Sequence, residues 1–450
     1  MTDTNVLLVV ADSLRAANTS LLGYRRETTP FLEEFAAEAT VYTQARSPSN
    51  WTVPSHVTMF TGHEAAAHEF EITDRLQLGH TIWETLADRG YDTGLFSDNP
   101  FLTAHESGLD RPFEHAEGTP DEWDAAYDTG GNLGEWPNGF HYAERLLEWT
   151  GERDGPWAAC VNLMDTHRPY EPVAEYDEWS DDSVRALQEE MGYKWHWEFF
   201  AGNLSLGFAQ LLETIYDGAI RQADAIFERI VAGLAERDEL DDTLVVFTSD
   251  HGEGLGEPTA LAAEPPAVSH RLGTHDELFH IPLVVRAPGQ RAGRRVHDLA
   301  TLSRFPDVVR ALALDERPVD GGAFVADEGR AIASQRPITA AMREEAERIC
   351  GSAAPYAKRT DVVYDDRPGD RVVKRARWGA DAYETLRRGR REAEDRGEID
   401  ADAVLAARDE VVGEAVTLGD PLDEITEFAD ASDNEFADDL EDRLDALGYR

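Results

Sequence analysis

Five short apolar runs govern what this chain can become. Val6–Ala11, Asp92–Ser97, Trp157–Met164, Thr243–Thr248 and Ile281–Arg286 have strand length and composition. Helical patterns separate them at Pro30–Glu38, Thr81–Arg89, Tyr142–Trp149 and within Leu206–Arg237. Strands alternating with helices build β–α–β units, so the pattern predicts an α/β fold with a mostly parallel central sheet flanked by helices. The 450 residues suffice for one large domain plus a smaller unit. The alternation loosens after about Val325. The expected division is therefore a catalytic domain over residues 1–325 and a smaller α+β subdomain over 326–450. In the latter, Thr360–Arg377 reads as a hairpin and Ala380–Ala407 as a charged helix. Residues 391–450 hold 21 acidic and 5 basic residues and read as an acidic tail. Stretches 103–137 and 168–205 lack a clear period and read as excursions over the face where the strands end.

Charge sets further limits. Lys plus Arg is 42 against 89 Asp plus Glu, a net charge of −47, and only Lys194, Lys358 and Lys374 are lysines. Such a field repels nucleic acid and anionic lipid, which excludes both as partners. A carboxylate-rich, lysine-poor surface fits work in concentrated salt, where self-repulsion is screened within about 3 Å at 1 M. Cys160 and Cys350 do not make a disulfide framework. The run Val6–Ala11 lacks a basic leader and is too short for a secretory segment, and no later stretch reaches the ~18 apolar residues of a membrane span. The expectation is a soluble, cytoplasmic protein with no membrane span; oligomeric state is left open.

In open α/β sheets, ligands bind beyond the carboxyl ends of the strands. Asp12 follows the first run, Asp165 and His167 follow the one ending at Met164, and Asp250 and His251 follow Thr243–Thr248. Each alone reads equally as a cap or turn residue; as a set of carboxylates and imidazoles at converging ends they suit a divalent cation. Thr52, with Pro54 close behind, reads as a helix start. A hydroxyl there sits at the helix's positive end, where an ester anion is also drawn. Threonine needs a base or metal to become a nucleophile, and a cation shared with Asp12, Asp250 and His251 would serve.

Several segments share order and spacing with a known family. They are Val6-Leu-Leu-Val-Val-Ala-Asp-Ser-Leu-Arg15, Thr29-Pro-Phe-Leu-Glu-Glu-Phe-Ala, Thr52-Val-Pro-Ser-His-Val-Thr-Met-Phe-Thr-Gly62, Tyr216 to Asp224, Thr248-Ser-Asp-His-Gly-Glu253, Asp276 to Gly289, and the late Asp420-Pro-Leu-Asp-Glu. Together they resemble the sulfatases of the alkaline phosphatase superfamily. The resemblance implies an alkaline phosphatase/sulfatase-like fold and one divalent cation (Ca, Mg, Mn or Zn) on Asp12, Thr52, Asp250 and His251. It implies His167 as a contact to the ester anion, and His270, with Arg271 as the competing assignment, at the anion or leaving group. His56 and Asn99 would line the pocket, and Arg15 would either contact it or cap its own turn. Asp276 and His280 have the spacing of a second metal's ligands, but one cation is favoured. Formylglycine-forming sulfatases carry Cys or Ser followed by x-Pro-x-Arg; Thr52 and His56 stand at those positions, so no formylglycine is expected. Ser13 stands where the family has a second aspartate. Thr52 is similar to the threonine of the superfamily's phosphodiesterases and transferases. The expectation is a metal-dependent hydrolase of sulfate or phosphate esters acting through Thr52, on a small-molecule, glycan or lipid ester. The alternatives are a phospho- or sulfo-transferase to an alcohol and a catalytically silent anion-binding protein.

Overall fold

The computed structural model describes residues 4–422 except 105, 121–137, 192–195, 262, 317–322, 369–370 and 389–391. Its central sheet contains β1 (Asn5–Ala11), β2 (Thr40–Arg46), β3 (Asp92–Ser97), β4 (His115–Glu117), β5 (Trp157–Leu163), β6 (Thr243–Thr248), β7 (Leu283–Arg286) and β8 (Arg294–Thr301). Their order is β8-β2-β7-β6-β1-β5-β3-β4. All run parallel to β1 except β7, which is antiparallel to β2 and β6. The five expected strands are present; β2, β4 and β8 are additional.

β1 shows why the sheet is covered twice. Leu7, Val9 and Ala11 pack with Tyr142, Leu146, Phe227 and Ile230, from helix Asn138–Gly151 and helix α2 (Leu206–Glu236). Val6, Leu8 and Val10 pack with Val57 and Phe60 of helix α1 (Thr52–Thr61), Trp83 of helix Ile82–Asp88 and Val308 of helix Phe305–Leu312. Alternate side chains on a strand point to opposite faces, so two helical layers bury it completely. Helix starts are chemically marked: Thr81 and Glu84 form a reciprocal capping box, and Ser205 accepts from Gly207 N.

A second, five-stranded sheet runs antiparallel through β9 (Arg330–Gln335), β10 (Thr360–Arg367), β11 (Arg371–Trp378), β12 (Asp381–Arg388) and β13 (Glu392–Glu398). Tyr364, Val372, Ala376 and Trp378 pack with Leu278, Phe279 and Leu299. Ile332, Val363 and Ala382 pack with Val404 of helix α3 (Ala401–Val412). The hairpin expected at Thr360–Arg377 is β10–β11. The charged helix expected over Ala380–Ala407 is not: that stretch forms β12, β13 and only the first part of α3. Its charges are satisfied across strands instead of along a helix, with Glu384 bridging Arg375 at 2.9 Å and Arg396 at 3.1 Å.

The excursion 168–205 contains helices Asp182–Met191 and His196–Phe200. Residues 121–137 of the other excursion lie outside the described residues, as does the acidic tail beyond Leu422. Gly419–Pro421 pairs antiparallel with Asp74–Leu76. Among the described residues no helix is long and apolar enough to cross a membrane.

Candidate active site

β1 lies between β5 and β6, so residues just past their carboxyl ends converge. Asp12 follows β1, Asp250 and His251 follow β6, and each offers a ligand atom within 4.8 Å of the others, all buried. Thr52, first residue of α1, puts Oγ1 3.4 Å from Asp12 Oδ2 and 3.4 Å from His251 Nε2. The turn after β6 needs glycine: a Cβ on Gly252 would overlap the Glu277 carbonyl, against which the chain is tied by Gly252 N to Leu278 O at 2.9 Å.

Proton positions follow from the partners. His251 Nδ1 donates to Gly252 O at 2.8 Å, which leaves the Nε2 lone pair facing inward. That lone pair meets Asp12 Oδ1 at 3.6 Å and Asp250 Oδ2 at 3.4 Å. Asp250 Oδ1 accepts from Ser13 N and His251 N, but Oδ2 is buried and within hydrogen-bond reach of no donor among the described residues. Two carboxylates and an imidazole lone pair facing one another, with only the Thr52 hydroxyl at 3.4 Å among them, are the arrangement a divalent cation resolves, and the mixed carboxylate–imidazole donor set fits one. Burial, reinforced by Asp250, pushes the Asp12 carboxyl up to about 7; burial does the same to Asp250.

The remaining expected residues divide into two groups. Asn99 caps helix Pro100–Thr103 through Oδ1 and donates from Nδ2 to Asp12 Oδ2 at 3.0 Å, so it borders the cluster. His56 is fully buried one turn along α1; its Nδ1 donates to Thr52 O at 3.0 Å and lies 3.8 Å from Asp250 Oδ2. His270 packs its ring 4.4 Å from that of His251, and His167 lies 5.3 Å beyond His270. Burial drives His56 down to about 4 and His167 and His270 well below the usual imidazole range, so these rings are neutral. Arg271 stacks its guanidinium 3.8 Å above the Trp51 ring, beside Thr52.

Arg15 turns away from the cluster: its guanidinium pairs with Glu257 and, at 3.0 Å, with Glu213. Asp165 accepts from Gln222 of α2 at 2.6 Å. Asp276 is held by Tyr364 at 3.1 Å and Arg387 at 3.0 Å, and His280 bonds to Thr43 O, so neither joins the Asp12 cluster.

Three neighbours were given no role in the sequence reading, Ser13 having been noted only as the residue in place of the family's second aspartate. Ser13, in a left-handed conformation at φ 65°, donates to Asp12 Oδ1 at 3.2 Å. Asn162 donates to Asp12 Oδ2 at 3.5 Å; an amide inside the otherwise apolar β5 was the available signal. Glu253, fully buried, lies 3.4 Å from His270 Nδ1.

A mostly parallel sheet with a helix-borne hydroxyl against a buried Asp–Asp–His cluster at its carboxyl edge defines an α/β protein with a hydroxyl–carboxylate–imidazole site. The chain belongs to the sulfatase family: the family model described as Sulfatase matches residues 4–313. The multifunctional alkaline phosphatase superfamily protein PehA of Trinickia caryophylli is 29% identical over 180 residues, 35% of this chain and 34% of its own length. Arylsulfatase K of Canis lupus familiaris is 22% identical over 334 residues, 66% of this chain and 61% of its own. The matches thus span less than two thirds of these relatives. The phosphonate monoester hydrolase of Agrobacterium radiobacter shares the fold, with a TM-score of 0.62 and 19% identity over 99% of this chain and 94% of that one.

Proposed function

We propose that this chain hydrolyses sulfate or phosphate esters with Thr52 as nucleophile and one divalent cation on Asp12, Thr52, Asp250 and His251. The observation that carries the reading is the Thr52 hydroxyl, 3.4 Å from both Asp12 Oδ2 and His251 Nε2 at the start of α1. A cation bound there (calcium, magnesium, manganese or zinc) would act as Lewis acid toward the hydroxyl and one ester oxygen. The chain's own groups do the rest. The start of α1 would draw the incoming anion to its positive end, through the N–H groups of Thr52 and Val53, since Pro54 has none. Asn99 and Asn162 hold the Asp12 carboxylate in one orientation. Thr52 Oγ1 forms a bond to sulfur or phosphorus as the bond to the leaving alcohol oxygen breaks, and water later releases the group from Thr52. His167 and His270 flank the anion, with His270 and Arg271 the candidates to meet the leaving oxygen. Threonine cannot become formylglycine, so the hydroxyl itself must attack.

The test replaces Thr52 by Ala and assays aryl sulfate, phosphate monoester, phosphate diester and phosphonate monoester across a metal panel in high salt. Cation binding is retained and turnover falls by roughly three orders of magnitude or more; unchanged turnover would end the proposal. An added acceptor alcohol separates hydrolysis from transfer by the product formed. Absence of any cation-dependent cleavage would leave an anion-binding protein.

A further inference from the structure

We propose that Gln335, on the first strand of the second sheet, is a positioning residue for the nucleophile; this rests on Thr52 attacking the ester. The turn Ser47–Trp51 joins β2 to α1 and delivers Thr52 to the cluster. On one side it is tied to the chain that leads into β7, with Ser47 N donating to Phe279 O at 2.9 Å. On the other it is tied to β9. Ser334 N donates to Pro48 O at 2.9 Å, and Ser49 Oγ donates to Gln335 Oε1 at 2.6 Å across 286 residues of sequence. Gln335 Nε2 in turn donates to Glu71 Oε1 at 2.8 Å. Ser49 is fully buried, and Gln335 and Glu71 are each 5% exposed.

The amide is therefore held at both ends. Its oxygen is fixed by a hydroxyl of the nucleophile turn and its NH2 by a carboxylate from the segment after α1. Within the turn, Ser47 Oγ donates to Ser49 O at 2.8 Å, so a displacement at Ser49 is carried to the backbone leading into Thr52. Thr52 sits at 3.4 Å from its two partners. A misplacement of about 1 Å at such a distance costs on the order of 100-fold in rate. The second sheet thus serves the reaction without touching the ester.

The test uses the full chain with cation and an aryl ester that the wild type turns over. Gln335→Leu removes both hydrogen bonds at similar size; Ser49→Ala removes only the hydroxyl. Each should lower kcat about 10- to 100-fold while KM and cation affinity, measured by titration calorimetry, stay within about twofold. Because both break the same contact, the double variant should be no worse than the more damaged single one. Wild-type kcat per folded molecule in either variant, with only a lower Tm, overturns the positioning role, as does an additive double variant. If Gln335→Leu does not fold, Ser49→Ala carries the test. Thr52→Ala separates the two readings: full turnover there removes the nucleophile itself. A dead Thr52→Ala beside wild-type kcat in Gln335→Leu and Ser49→Ala removes only the positioning.

Discussion

Asp250→Asn should stabilise the ion-free protein and abolish its stabilisation by cation. In the ion-free protein the Asp250 carboxyl moves from its ordinary 3.8 to about 7 because it is buried. A raised folded value means the native state binds the proton more tightly than the unfolded chain does. The native state therefore loses stability as pH rises from about 4 to about 7, and the loss is complete above that. At 1.36 kcal/mol per pH unit the ceiling is about 4 kcal/mol at pH 8. Asparagine avoids this cost. Its Oδ1 keeps the bonds from Ser13 N and His251 N, and its NH2 falls where Oδ2 lies, 3.4 Å from the bare Nε2 of His251, which it can donate to. For 450 residues, unfolding entropy is roughly 0.9 kcal/mol per kelvin, so the gain is up to about 4 °C in Tm. With cation at 100 times its Kd the wild type should gain about 2.7 kcal/mol, or about 3 °C, which the variant forfeits. The assay is scanning calorimetry at pH 8 in high salt, with chelator and then with each of Ca, Mg, Mn and Zn. At pH 5 in chelator the gap should shrink to about 1.6 kcal/mol, and below about pH 4 the two proteins should converge. A variant less stable than wild type in chelator, together with no cation shift in the wild type, would refute the reasoning.

Asn99→Ala removes the 3.0 Å donor to Asp12 Oδ2 and leaves Asn162 at 3.5 Å as the remaining side-chain amide there. Turnover should fall about 10- to 100-fold, and cation affinity by a comparable factor, as for groups that orient a metal ligand; wild-type values for both would remove Asn99 from the site. The net charge of −47 predicts that Tm rises steadily between roughly 0.1 and 2 M KCl as repulsion is screened; a flat or falling curve by calorimetry would contradict adaptation to salt.

What the sequence made legible follows burial. β1, β3, β5, β6 and β7 are mostly or wholly buried, and a strand covered on both faces writes itself as an apolar run. β8 opens with exposed Arg294, Arg295, His297 and Asp298, so its strand character depends on pairing with β2, which no local pattern records. β12 failed for a related reason. Its charged residues scan as a helix face, but their partners lie across the fold: Arg375 and Arg396 meet Glu384, Asp276 meets Arg387 and Lys358 meets Asp381. The cluster of Asp12, Thr52, Asp250 and His251 was legible because strand ends concentrate chemistry. Arg15 was read as either touching the site or capping the following turn; it stands at the start of the turn Ala16–Asn18, with its guanidinium on Glu213 and Glu257, acids that no local pattern tied to it.

Histidine placement shows how the fold divides labour around one hydroxyl. Burial keeps His56, His167 and His270 neutral, so none brings a fixed positive charge that would compete with a cation for the carboxylates. Permanent charge comes instead from Arg271, held over Trp51 at the lip of the same turn that presents Thr52. A guanidinium stays charged at any working pH, whereas a buried imidazole does not. In the proposed reaction Arg271 would attract the anion through a group that cannot lose its proton. The imidazoles are left to offer lone pairs or hydrogen bonds at fixed atoms, as His251 does with Nδ1 on Gly252 O at 2.8 Å and its Nε2 lone pair facing Asp12 and Asp250.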